Sequence, residues 1–482
     1  IIYRSVKIDI FKINIIRKKL KRGEILQGIL KIKDEDKLFY KTLVMLCIPI
    51  IIQNLISTLV NMVDTVMVGS LGEVSVASIG IANQYFFLFN MALSGIIGGA
   101  GIFMAQFYGK GDKDSIKKIT GLSVIAALIL GLLFFMLAVF FPNVIIHFFS
   151  HDPLVVKEAR SYFLVIGFCY PIMAISYIFS MGSRSVRNPR LGMVCSSISL
   201  VINIILNYVF IFGHFGAPAL GVKGAAVATV VARIVEFILL ISYVYFIKED
   251  YELRFGIKDI KGITKELATT VIKKSTPVFL NDTIWAFGSV LYSVAYATAG
   301  TSAIAASQIA STTGNFFIMT AVCIAIGSSI MMGNELGANN IDTAVRYSKK
   351  FSVLVTIAGL IFGILLISAT PLLLKMFSVS DSLAPDIIKI FKIMGVLMAL
   401  RTFNTFIVIG VMRSGGDTKY SLFLEMGCMW LVSLPITFFA AYKGVPIYIL
   451  VALTYTEEVA KFIFGVPRAL SKKWARNIVD EI

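Results

Sequence analysis

Stretches of about twenty residues with few or no charges recur from one end of this 482-residue chain to the other, as in ITGLSVIAALILGLLFFMLAVFF at 119–141. As an α-helix, such a run crosses roughly 30 Å of hydrocarbon with its backbone groups bonded within the segment. A soluble core has no room for so many of them. Of all residues 57% are apolar or aromatic and 15% charged, where about 45–50% apolar is usual. The fold class is therefore an all-α polytopic membrane protein. Charge, glycine and proline punctuation predicts twelve transmembrane helices at about 41–68, 75–107, 119–141, 158–181, 191–213, 225–247, 270–299, 303–334, 348–371, 387–412, 420–442 and 445–467.

The net charge of +17 reads as membrane topology rather than as a nucleic-acid surface. An even helix count puts both termini on one side, and 36 of the 45 Lys and Arg fall in the segments of that side. Basic residues concentrate in cytoplasmic segments. Both termini are thus expected in the cytoplasm, in a multi-pass, monomeric protein of the cell membrane with lipid around it and no nucleic acid bound. The first forty residues, densest in charge at Arg17–Arg22 (RKKLKR), lack a cleavage-site pattern and read as a cytoplasmic segment. Five cysteines without CxxC spacing read as small apolar fillers, and three histidines in predicted loops offer no metal cluster.

The two halves repeat. An offset of 228 lays Pro49 on Pro277, Gly72 on Gly300, Ile81-Ala82 on Ile309-Ala310, Gly99 on Gly327, Gly109 on Gly337 and Asp114 on Asp342 without a gap. An offset of 229 then lays Arg184-Ser185 on Arg413-Ser414. Six helices per copy keep the same orientation, so the pseudo-two-fold axis runs along the membrane normal. The expected organisation is a basic segment (1–40), an amino-terminal lobe (41–247), a charged linker (248–268), a carboxy-terminal lobe (269–467) and a tail (468–482). Two lobes able to rock against each other suit a transporter.

Several segments also resemble the multidrug and toxic compound extrusion (MATE) family: IPIIIQNLISTLVNMVDTVMVGSLG (48–72), NIILNYVFIFG (203–213), ALGVKGAAVATVVARIVEF (219–237), TPVFLNDTIWAFG (276–288), NELGANN (334–340) and FNTFIVIGVMRSGGDTK (403–419). The resemblance covers nearly all of the chain after the first forty residues. It implies a twelve-helix, two-lobed exporter that exchanges drug-like, often cationic, organic compounds for Na⁺ or H⁺. It also implies that there is no cofactor beyond that coupling ion.

Asp64, central in the first helix, is the residue to explain. A lone charge there costs about 2.5–3.5 kcal/mol by insertion scales, and it needs a basic partner, a proton or a bound cation. The one cation inside the amino-lobe helices, Arg233, has Glu236 three residues along as a local partner. Asn203 and Asn207, four apart on one helix face, and Thr229 add oxygen donors. With Asp64 they make a hard-oxygen set suited to Na⁺ (Asp64, Asn203 and Asn207 as metal ligands, Thr229 beside them). The resemblance points to a cation site at the matching positions. Some relatives carry a second carboxylate where Asn207 stands, which keeps H⁺ as open as Na⁺. In the other lobe, Asp282 with Trp285 at i+3 forms a candidate seat for an organic cation, through charge and a cation–π contact. Gln308, Asn404, Glu425 and Trp430 are candidate cavity residues. Each of these polar residues has helix packing as its alternative reading. Arg401 has no assignable partner, and Glu457, Glu458 and Lys461 read as one pair with a spare acid.

The function expected is secondary antiport by alternating access, with neither a GxxxxGK[ST] nucleotide loop nor a catalytic cluster in view. A flippase for a lipid-linked saccharide is the alternative. Its cavity would be more cationic than the acidic centre expected here.

Overall fold

A computed structural model describes residues 34–377, 379 and 383–480. Most of the basic amino-terminal segment, Arg17–Arg22 included, therefore lies outside the described residues. Residues Ile1–Met45 and Leu46–Ile482 are separate compact units, and the buried acid and the central cavity both belong to the second.

The first half comprises α1 (Asp34–Gly69), α2 (Glu73–Lys110), α3 (Lys113–Phe140), α4 (Pro142–Phe149), α5 (Pro153–Ile166), α6 (Cys169–Ser185), α7 (Pro189–Phe212) and α8 (Val222–Ser242). A short linker helix, α9 (Ile257–Lys261), leads to α10 (Lys265–Ala297), α11 (Thr301–Gly337), α12 (Ile341–Met376), α13 (Ala384–Thr405), α14 (Thr418–Met426), α15 (Leu434–Tyr442), α16 (Ile447–Thr454) and α17 (Thr456–Leu470). Local chemistry sets the boundaries. Gly111, left-handed at φ 78°, stops α2. The Asp112 carboxylate then accepts from Ser115 N (2.9 Å) to start α3, and that of Asp152 accepts from Leu154 N (2.8 Å) to start α5.

Among the described residues ten helices are long and apolar enough to span a membrane. The fourth predicted span is instead a pair, α5 and α6, bent by 49° at Gly167–Phe168. The predicted twelfth helix breaks at Tyr455 into α16 and α17. Its second piece carries Glu457, Glu458 and Lys461, whose burial rests on ion pairs within the second lobe. Wide turns with i→i+5 bonds interrupt that lobe at Phe406–Met412 and Gly427–Ser433. Large apolar side chains, among them Ile129, Met136, Val353 and Ile364, face outward, exposed by 64%, 46%, 60% and 64%, as a lipid-facing surface requires.

The repeat is visible in the backbone. Positive φ recurs at matching places: Gly72 with Gly300, Gly111 with Asn339, and Arg187 with Gly416. The lobes meet through α2 against α10 and α11. A Cβ on Gly109 would strike the Asn334 carbonyl, and one on its repeat mate Gly337 would strike that of Gln106, so two glycines let the helices cross closely.

Candidate functional site

Asp64 on α1 is buried, 8% exposed, beside Asn203 and Asn207 on α7 and Thr229 on α8. The four side chains close a ring. Asn207 Nδ2 donates to Asp64 Oδ1 (2.5 Å) and to Asn203 Oδ1 (3.2 Å). Thr229 Oγ1 donates to Asp64 Oδ2 (3.3 Å), and Asn203 Nδ2 donates to Thr229 Oγ1 (3.3 Å). All the ring's partners of the carboxylate are neutral. Arg233, one turn further on α8, reaches Asp64 only as a Coulomb field and bonds Glu236 instead, at 2.6 Å. Asn207 Oδ1 is buried without a partner, a spare acceptor next to the acid. One carboxylate, two amide oxygens and a hydroxyl fit a small hard cation, and the same ring accepts a proton on Asp64.

Between the lobes lies a cavity of about 800 Å³. Its walls are largely apolar, with Phe86, Phe87, Met91, Met319 and Ile326, and it reaches down to Ala105, Arg184 and Arg413. Below that level the lobes are bonded together. Gln106 Nε2 donates to Ser414 O (2.8 Å), Asn334 Nδ2 to Ala105 O (2.8 Å) and Ser185 O (3.3 Å), and Arg187 Nε to Asn334 Oδ1 (2.7 Å). The carboxy-terminal residues plug the same end. Trp474 is fully buried, Ile478 N donates to Gln106 Oε1 (2.9 Å), and Lys110 pairs with Asp480 (2.9 Å). Asp250 in the linker pairs with Lys113 at 2.8 Å, which holds its carboxyl below the usual aspartate range.

The cation seat expected at Asp282 and Trp285 is not assembled. Asp282 does line the cavity, but Arg413 Nη2 donates to it at 2.7 Å. Trp285 lies off the cavity, although three residues along a helix leave it only about 60° around from the acid. Gln308 is exposed elsewhere on α11. Asn404 donates to Glu458 Oε2 (2.8 Å) and Glu458 O (2.7 Å), which makes it a packing residue. Glu425 accepts from Asn281 and pairs with Lys461 (3.2 Å), inside the second lobe. Trp430 also stands off the cavity. The expected spare acid is absent from this cluster: Lys461 holds Glu457 as well (2.5 Å), and Glu458 faces Arg401 (3.9 Å), the partner that sequence reasoning left unassigned.

Sequence reasoning missed Gln53, Arg184, Ser196 and Arg413. From Arg233 a polar chain runs through Glu236, Ser196 (2.6 Å) and Gln53 (3.2 Å) to Arg184, whose Nη2 donates to Gln53 Oε1 (2.5 Å). It links the surroundings of Asp64 to the cavity floor. The available signal was the recurrence of Arg-Ser at matched points of the two halves, which a cytoplasmic-loop reading had absorbed.

Two repeated lobes around a cavity sealed at one end, with an acid buried in one lobe among neutral ligands, have the build of a membrane transporter. The MatE family model matches this chain twice, over residues 49–209 and 277–439. The chain belongs to that family, the MATE transporters, which are not enzymes. Relatives include the probable multidrug resistance protein NorM of Thermotoga maritima, 26% identical over 412 residues, or 84% of this chain and 86% of that one. The multidrug resistance protein MdtK of Photorhabdus laumondii is 27% identical over 410 residues, or 82% and 86%. The fold is similar to a solved outward-facing conformation of a multidrug resistance MATE family transporter of the MOP superfamily. That likeness has a TM-score of 0.79 at 20% identity and covers 90% of this chain and 96% of that one.

Proposed function

We propose that the protein is a secondary antiporter that exports drug-like organic compounds from the cell in exchange for Na⁺ or H⁺ taken up at Asp64. The observation that carries this reading is the acid's company: among the described residues the buried carboxylate is bonded by amide and hydroxyl groups and by no ion pair. Such a charge is costly in a low-dielectric interior until a cation neutralises it. With the basic end in the cytoplasm, the sealed floor makes this an outward-facing state. Loading Asp64 requires the Asn207 amide to turn an oxygen toward a metal ion, or the ring to regroup around a proton. Either event loosens the bonds among α1, α7 and α8. The ion then shifts the lobes only by its differential affinity for the two orientations, and the exported compound biases the opposite one.

The test is dye efflux from vesicles under imposed Na⁺ or pH gradients, comparing the wild type with Asp64→Asn. Loss of gradient-driven efflux with normal insertion is expected. An unchanged rate under both gradients removes the reading.

A further inference from the structure

The cavity lining holds three arginines and two acids, so the centre is not acidic as the sequence had suggested. Both acids are already taken: Glu236 by Arg233 at 2.6 Å and Asp282 by Arg413 at 2.7 Å. Among the described residues Arg184 makes no ion pair. Its one hydrogen bond goes to the neutral Gln53 Oε1, and its Nε–H is buried without a partner, as is that of Arg413. A guanidinium has five donors set in a fork that matches an oxyanion. The floor thus carries one unneutralised positive charge and unused donors at the foot of apolar walls.

We propose that this floor is a seat for an oxyanion, so that the compound carried is an apolar organic anion or zwitterion rather than a simple organic cation. The proposal rests on the transport reading for its use, though the seat itself is a matter of binding. The repeat shows how the charge is left over. The carboxylate that neutralises Arg413 is Asp282, and the residue 228 positions earlier is Asn54, an amide. Arg184 therefore keeps a charge that its mate has lost. An apolar body fills the space beside Phe86, Phe87 and Met319, while its carboxylate or phosphate takes the free edge of Arg184, with Arg413 in reach of the same floor. Both a soluble carboxylate and a lipid-borne phosphate offer this chemistry.

The experiment measures binding to the full chain in nanodiscs without any ion gradient, so that failure of antiport and failure of the seat give different results. Three fluorescent probes share a dansyl group: dansyl-leucine (carboxylate), its methyl ester (neutral, with the same apolar body) and dansylcholine (cationic), each corrected against empty discs. Dansyl-leucine should bind at least about 10-fold tighter than either of the others, as charge-assisted bonds to one guanidinium allow. Arg184→Gln should abolish that preference, so that dansyl-leucine binds no tighter than its ester, and Arg184→Lys should retain part of it. Equal binding of all three probes, or tightest binding of dansylcholine, overturns the proposal. So does an Arg184→Gln variant that loses ester and carboxylate alike while remaining folded. Farnesyl phosphate assigns the source of the anion. Competition at lower concentration than dansyl-leucine points to a lipid-borne phosphate, whereas weaker competition, with efflux of dansyl-leucine itself, points to a soluble carboxylate.

Discussion

The two lobes share a backbone plan and differ in how they settle their buried charges. In the second, Glu425, Glu457 and Glu458 each have a basic partner within 4 Å, supplied by Lys461 and Arg401, and Asp282 has Arg413. In the first, among the described residues, Asp64 has no cation bonded to it and Arg184 no anion. The matched positions trace the trade. Where the first lobe has Asp64, the second, 228 residues on, has Tyr292, whose hydroxyl donates to Glu457 at 2.9 Å. Where the second has Asp282, the first has Asn54. A paired ion holds helices together, and an unpaired one waits for a ligand. The second lobe's charges are structural by this measure, and the first lobe, beside its Arg233–Glu236 pair, keeps two that are poised to bind.

The largest effects should come from treating the matched positions alike. Asp64→Asn should lower gradient-driven efflux by about 100-fold or more, since it removes the only charge of the ring, while Tyr292→Phe should cost less than a factor of a few. Comparable losses from both substitutions would break the contrast. Stability should respond in the opposite sense. Lys461→Met strands Glu425 and Glu457 in the protein interior and should destabilise by about 3–5 kcal/mol. Asp64→Asn keeps the ring's shape and should melt within a few degrees of the wild type. Thermal unfolding in one detergent reads both.

The helical class and the repeat were legible in the sequence for physical reasons, whereas Asp64 was grouped with Asn203, Asn207 and Thr229 through the family resemblance. Hydrocarbon imposes length and composition on each span, and Asn203 and Asn207 share a face through helical periodicity alone. What periodicity cannot supply is the partner across a helix interface. Asp282 and Trp285 looked like a pair because they are near in sequence, but the acid's partner is Arg413, 131 residues away. Arg184 counted as a loop charge, although α6 runs through it to Ser185 and brings it to the cavity floor. The break at Tyr455 falls where the apolar run Ile447–Thr454 gives way to Thr456, Glu457 and Glu458, a change of composition that reading one helix over 445–467 passed over.

A smaller effect tests the trade at the floor. Asn54→Asp places a carboxylate at the repeat mate of Asp282, in the lining of the same cavity as Arg184. It should reduce the carboxylate probe's advantage over its ester by about 3- to 10-fold, the range of a part-exposed ion pair. Retention of the full advantage would mean that Arg184 is not the source of the preference.

The smallest effect concerns the clasp that joins the lobes at the sealed end. Asp480 takes Lys110 of the first lobe at 2.9 Å and the Asn339 amide of the second at 3.0 Å, and the Lys110 ammonium holds its carboxyl below the usual aspartate range. A carboxyl whose folded pKa is depressed contributes above its unfolded value, about 3.9, and loses that contribution as pH falls through the lower, folded value. The clasp should therefore hold unchanged from pH 5 to 8 and weaken only below about pH 4. Both partners are part-exposed, 39% and 44%, so salt should weaken it as well. With Trp285→Phe and Trp430→Phe in place, the buried Trp474 becomes the sole indole, and its emission reports the seating of the chain end. A red shift beginning below about pH 4, absent in Asp480→Asn, is expected. An acid step at pH 6, or one that survives Asp480→Asn, would show that the Asp480 carboxyl does not set the seating of the chain end.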